Sequence, residues 1–193
     1  MDITQTIALA LIQGLTEFLP VSSSAHLVIL PKFLDWPDQG LAFDVVLHFA
    51  TLCAIVYYYR LTLVEMSKDF VCSIVTRKMQ GQSMLAWAVL LGTIPVGLTG
   101  LFFKDTIELN LRSYEVVAFA TIFFGFLLGF SDWLHRFLGR SREFIRSSDI
   151  LIVGLFQALA LIPGTSRSGI TITAALLIGL SRSLSIKYAF LLS

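Results

Sequence analysis

The sequence predicts an all-α integral membrane protein built on inverted-topology repeats, and three observations predict it. The 193-residue chain is 56% hydrophobic and only 14% charged, with a mean hydropathy of +0.81. A soluble domain carries about 25% charged residues, so this chain has too little polar surface to live in water. Three apolar stretches are long enough to cross a bilayer, and two further pairs of apolar stretches, each interrupted at a proline, are too short to do so. The two interrupted pairs are also similar to each other in sequence.

The chain opens with "MDITQTIALALIQG", which has an acid where a signal peptide has basic residues and no small-x-small cleavage pattern, so no cleaved leader is expected. Residues 3–19 and 21–31 flank Pro20. Two half-length apolar segments meeting at a polar break predict a re-entrant hairpin over 3–31, because irregular backbone at membrane depth survives only where protein or a water-filled cavity covers it. Full spans follow at 41–59, 83–103 and 115–133. Tyr57 to Tyr59, Trp87 and Trp133 lie near their ends, where interfacial aromatic belts belong, and Pro95 predicts a kink in the second span. The connectors 60–82 and 134–148 carry four Lys/Arg each, while 104–114 has only Lys104 and Arg112. The positive-inside rule then places the first two in the cytoplasm and the third, with Met1 and residues 32–40, outside. Residues 149–162 and 170–180 flank "PGTSRSG" and predict a second hairpin over 149–180. The last stretch, "SLSIKYAFLLS", gives a partial span at 183–193, which reads as a fragment of a longer chain.

The hairpins repeat. "LIQGLTEFLPVSSS" (11–24) aligns with "LFQALALIPGTSRS" (155–168) with one gap, and Gln13 and Gln157 stand 144 positions apart. Three spans separate them, so the second copy enters from the opposite face. Residues 1–148 are thus a first repeat and 149–193 the start of a second.

Net charge is +1, which offers nothing for nucleic acid. Cys53 and Cys72 have no metal or redox spacing, and Cys53 is expected to pack within its apolar segment. The chemistry lies in the hairpins. A central Arg or Asp costs about 2.5–3.5 kcal/mol on insertion scales, so Glu17 and Arg167, beside the two breaks, are expected to face each other or a polar cavity. Gln13 and Glu17 are four apart and share a helix face. After Pro20 a serine caps the next half-helix, and Ser22 and Ser23 precede His26 by four and three residues. A carboxylate, a hydroxyl and an imidazole at one helix start are the parts of a nucleophile with its base. Taken singly, each has a blander reading: serines that cap, and a histidine bonded to backbone. In the second hairpin, Pro163 and Gly164 break the helix, Thr165, Ser166, Ser168 and Thr171 offer hydroxyls, and Arg167 offers a fork of donors suited to phosphate. The half-helix start adds free N–H groups and a favourable dipole. The blander alternative is a capped turn with Arg167 paired to Glu17 for structure. Asp44 and His48 form another i, i+4 pair, left outside the site as outer support or packing.

Those residues resemble the two signature motifs of the bacterial undecaprenyl-diphosphate phosphatases, the bacitracin-resistance family. The first is matched by Gln13, Glu17, Pro20-Val21-Ser22-Ser23 and His26, and the second by Pro163, Gly164, Ser166, Arg167, Ser168 and Thr171. The similarity continues through "FDVVLHFAT". Gln13 stands where the motif allows Glu or Gln, and Ala25 where Gly is frequent. The resemblance implies repeats of a re-entrant hairpin plus three spans, with the second repeat truncated here. It implies an acid-anhydride hydrolase that converts undecaprenyl (C55) diphosphate to the monophosphate and phosphate, recycling the lipid carrier of cell-wall (peptidoglycan) synthesis and conferring bacitracin resistance.

On that reading Ser23, His26 and Glu17 are catalytic. Either Ser23 attacks with His26 or Glu17 as base, or His26 attacks directly. Arg167, Ser166, Ser168, Thr171, Gly164 and Ser22 bind phosphate. Glu17 and Gln13 hold a divalent cation, Mg²⁺ or Ca²⁺, with Glu17 as the charged ligand because Gln13 brings no charge. The partners are the polyprenyl diphosphate lipid and the membrane, with a homodimer as an open assembly and no nucleic acid. The location is the bacterial cytoplasmic (inner) membrane, multi-pass, with the site opening toward the periplasmic side. Fold alone favours a rival, a secondary transporter or flippase for an anionic polyprenyl lipid. A third reading has the truncated chain assembling with a partner that completes it.

Overall fold

A computed structural model of the protein describes residues 2–111 and 113–192. Met1, Arg112 and Ser193 lie outside the described residues, as does the Lys104 side chain, so the basic residues of connector 104–114 keep only their sequence reading.

The described chain is helical, and its only β pairing is one isolated bridge between Arg142 and Leu180. The helices are α1 (Ile3–Phe18), α2 (Ser23–Phe33), α3 (Leu41–Tyr58), α4 (Arg60–Thr76), α5 (Ser83–Asn110), α6 (Tyr114–Leu138), α7 (Ser147–Ala158), α8 (Arg167–Leu177) and α9 (Arg182–Leu192). A single 3₁₀ turn, Leu159–Leu161, ends α7. Ser83–Phe103 and Tyr114–Leu138 are long and apolar enough to cross a membrane. The bent pair α3–α4 makes a third if counted as one span.

The breaks fall where the sequence puts them. Leu19 caps α1 in an extended conformation (φ −76°, ψ 142°) because a residue before proline is pushed out of the helical region. Ser22 then caps α2, its hydroxyl accepting from the Ala25 N–H at 3.3 Å. In the second hairpin Gly164 takes φ +94°, and Ser166 caps α8 by accepting from the Gly169 N–H at 3.1 Å.

The connector 60–82 is not a loop. Residues 60–76 form α4, bent 74° from α3, a helix within what the sequence marked only as a connector. Polar and apolar residues interleave along it, so one face can pack while the other stays wet. The packing face meets α5. The Phe70 and Trp87 rings lie 4.9 Å apart, and Trp87 Nε1 donates to Ser73 Oγ at 3.1 Å. Trp87 therefore clamps two helices in addition to its place near a span end. α5 continues through Pro95, and both α5 and α6 run past the expected span ends. Cys53 is exposed on α3 rather than packed, since the outer face of a membrane helix stays apolar without protein covering it.

The main core lies where α5, α7, α8 and α9 meet, around Ala88, Val153, Ala174, Ala175, Leu180 and Tyr188. α5 and α7 approach closely: a Cβ added at Gly154 would stand 2.8 Å from the Gly92 carbonyl oxygen. Tyr188 is fully buried and donates its hydroxyl to the Ala88 carbonyl at 3.0 Å. A strap between α6 and α7 docks on the α8–α9 turn through Arg142 N–H to Gly179 O (3.0 Å) and Ser181 N–H to Arg142 O (2.9 Å). The buried pair Arg142–Asp149 (2.6 Å) holds that strap down.

Candidate active site

Glu17 sits in the last turn of α1 and Ser23 is the first residue of α2, so the proline break folds one against the other. Ser23 Oγ donates to Glu17 Oε2 at 2.5 Å, a short charge-assisted bond. Gln13, one turn earlier on the same face of α1, donates Nε2 to the same oxygen at 2.9 Å. His48 of α3 brings Nε2 to 3.7 Å from it. Gln13 and Ser23 are buried while Glu17 is half-buried, so the hydroxyl–carboxylate pair sits at the edge of a cavity.

That cavity measures about 520 Å³, and Glu17, Ser22 and Ser23 from the first hairpin line it, with His48 of α3 and Ser166, Arg167 and Ser168 of the second hairpin. The start of α8 therefore faces the Ser23–Glu17 pair across one space. An exposed guanidinium, serine hydroxyls and helix N–H groups on one wall suit the oxygens of a phosphate. The two half-helix starts are built alike. Ser22 and Ser166 cap, Ser22 Oγ lies 3.1 Å from Ser24 Oγ, and Ser166 Oγ lies 3.2 Å from Ser168 Oγ. Ser23 and Arg167 occupy the same first-turn position.

The remaining expected site residues lie elsewhere. His26 is exposed on the other side of α2, where Nδ1 donates to the Ser22 carbonyl at 2.7 Å, and it does not line the cavity. Thr171 is fully buried, its hydroxyl bonded to the carbonyls of Arg167 (2.9 Å) and Ser168 (3.0 Å). Gly164 packs on α6, where an added Cβ would stand 2.4 Å from the Val117 carbonyl oxygen, so it shapes the turn. Gln13 turns its amide nitrogen to Glu17 and is not among the cavity-lining residues.

Polar residues outside the expected catalytic and phosphate-binding set also line the cavity, among them His48, Thr16 and Thr165. The Asp44/His48 spacing was visible in the sequence, but nothing in it said that α3 packs against the Glu17 face of α1. Among the described residues, no three or more His, Cys, Asp or Glu side chains converge as a metal cage. The donor set nevertheless fits a hard cation: the Glu17 carboxylate is at hand, and the buried Gln13 Oε1 beside it has no hydrogen-bond partner.

The chain matches the family model for bacitracin resistance protein BacA over residues 6–193. It is 56% identical over 193 residues to the undecaprenyl-diphosphatase of Vesicomyosocius okutanii subsp. Calyptogena okutanii (strain HA), covering 100% of this chain and 73% of the relative. The undecaprenyl-diphosphatase of Ruthia magnifica subsp. Calyptogena magnifica is also 56% identical with the same coverage. That of Nitrosococcus oceani is 53% identical over 100% of this chain and 72% of its own length.

Proposed function

The chain belongs to the bacitracin resistance protein BacA family, and on that premise we propose that it hydrolyses undecaprenyl diphosphate to undecaprenyl phosphate and inorganic phosphate, recycling the lipid carrier of cell-wall synthesis. One observation carries this reading: a serine hydroxyl 2.5 Å from a carboxylate, in a cavity whose far wall bears Arg167 at a helix start. Bacterial relatives with the same activity in their names and two to three apolar spans mark it as a multi-pass membrane protein.

Ser23 Oγ attacks the terminal phosphorus of the diphosphate while its proton passes to Glu17. The bond between that phosphorus and the bridging oxygen breaks, and undecaprenyl phosphate leaves with the electron pair. Water then attacks the phosphoserine. The bond from phosphorus to Ser23 Oγ breaks, inorganic phosphate leaves, and the serine regains a proton. Gln13 holds Glu17 in place from below. Arg167, Ser166 and Ser168 bind the phosphoryl oxygens, where preorganised donors stabilise developing charge. Glu17 and Gln13 would hold Mg²⁺ or Ca²⁺, which supplies neutralisation of diphosphate charge. The matched serine caps and buried glutamines, 144 positions apart, support an inverted repeat with both hairpins meeting at the site. Charge counts in the connectors favour the cytoplasmic membrane with the site open to the periplasmic side.

The rival reading, a flippase for the same lipid, uses Arg167 and the helix start but has no need of the Ser23–Glu17 pair. Phosphate release from C55 diphosphate, with and without Mg²⁺ or Ca²⁺, tests the proposal. Cation-dependent release that Ser23→Ala abolishes, with a trapped phosphoserine in the parent protein, is expected. No release from folded protein would leave lipid movement as the activity.

A further inference from the structure

The tip that carries Ser23 also opens sideways, between α2 and α6. An apolar groove of about 390 Å³ runs there, walled by Ala25, His26, Ile29 and Phe33 of α2 and by Ala118 and Ile122 of α6. No Asp, Glu, Lys or Arg is among its described lining residues. Thr121 borders it, but its hydroxyl already donates to the carbonyls of Val117 (2.8 Å) and Gly164 (3.1 Å). A narrow gap of about 40 Å³ lies between this groove and the catalytic cavity. Val21, Ser22 and Ser166 line both the gap and the cavity, and Thr121 lines both the gap and the groove. On α6, Ala118, Thr121, Ile122 and Gly125 follow the i, i+3, i+4, i+7 spacing of one helix face. A Cβ added at Gly125 meets nothing within 4 Å, so small residues keep the passage open.

A second cavity, of about 780 Å³, also adjoins the catalytic one and shares Ser24, Val45 and His48 with it. It carries Lys32, Asp38 and Asp44, charged side chains that a hydrocarbon tail cannot solvate. A polyisoprene chain has no hydrogen-bonding group and would leave those charges desolvated. The apolar groove sets no such penalty.

We propose that the α2–α6 groove holds the proximal isoprene units of the substrate's tail while the diphosphate lies between Ser23 and Arg167. This rests on the hydrolase reading above. It gives His26 a place as groove wall, in keeping with its distance from the catalytic cavity. It also makes the α6 face 118–125 a determinant of chain-length preference.

The test uses the full chain in detergent and its Gly125→Leu and Ala118→Leu variants. Phosphate release is measured from C55 diphosphate and from isopentenyl (C5) diphosphate, whose tail is too short to fill the groove. The ratio of kcat/KM for C55 over C5 is expected to fall about tenfold in each variant, through KM for C55. An unchanged ratio overturns the groove while leaving the hydrolase in place. A C55-type diphosphate bearing a diazirine on its second isoprene unit gives an independent readout that does not depend on the variants folding. Labelling of α2 and of the 118–125 segment is expected, and labelling of Trp36 or α3 in the second cavity overturns the proposal. Should the parent protein release no phosphate from either substrate, the hydrolase reading fails, and the photolabel alone still decides where the tail lies.

Discussion

Glu17 Oε2 receives hydrogen bonds from Ser23 and Gln13 and faces His48, which makes one carboxylate oxygen the focus of the site. A carboxylate at bonding distance from a hydroxyl is placed to take its proton, and loss of such a base typically costs about 10²–10⁴ in rate. Glu17→Gln is therefore expected to lower kcat for phosphate release by at least about 100-fold with a smaller change in KM. His26 bonds only to backbone in the described structure and lies outside the cavity. His26→Asn is expected to lower kcat by less than tenfold (about 1.4 kcal/mol), and a loss as deep as that of Ser23→Ala would return the imidazole to the chemistry. At Arg167 the planar fork matters beyond its charge. Arg167→Lys should raise KM for the diphosphate by about tenfold or more, at about 1.5–3 kcal/mol for a hydrogen bond to a charged group, read from initial rates.

At the scale of elements, the two broken hairpins do what an unbroken span cannot: they end helices inside the protein and aim side chains of their first turns into one cavity. Each cap holds its own tip. Ser166→Ala removes the acceptor for the Gly169 N–H and is expected to destabilise by about 1 kcal/mol, seen as a lower Tm in detergent. Gly164 is under tighter constraint, because it combines φ +94° with a packing gap against Val117 that no Cβ fits. Gly164→Ala should cost more than the cap, at least about 1–3 kcal/mol from backbone strain, and should lower phosphate release as the α8 start shifts. Both tips, with Pro20 and with Pro163-Gly164, were legible in the sequence, because proline and glycine act on the local backbone whatever surrounds them. The helix α4 was not. A segment with four Lys/Arg in 60–82 satisfies a charge rule equally well as a loop or as a helix, and its contacts with α5 through Phe70, Ser73 and Trp87 settle it as packed helix.

At the scale of the whole molecule, the half that carries Arg167 is the better packed one, with its core between α5, α7, α8 and α9. The strap from α6 to α7 ties that core down through Arg142 and Asp149, whose side chains are only 15% and 5% exposed. Removing one partner of a buried pair leaves the other uncompensated, at about 3–5 kcal/mol. Asp149→Ala is accordingly expected to lower Tm markedly in detergent, with KM for the diphosphate unchanged in the fraction that remains folded. The sequence by itself determined the helical, membrane-type character of the chain and the two breaks, because hydropathy, proline and glycine breaks and serine caps are properties of the local chain. Membership of the bacitracin resistance family was likewise legible, since both signature motifs stand in the sequence. Tertiary structure alone decided which imidazole stands beside Glu17. His26 lies close in sequence, but its ring follows the outer face of α2, whereas His48 reaches the carboxylate from α3, 31 positions away from Glu17. It also decided that Thr171 bonds its own helix and that a groove opens between α2 and α6. The reason is the same in each case: a helix fixes the direction of every side chain, but which direction becomes a site depends on the element packed opposite, and periodicity carries no record of that neighbour.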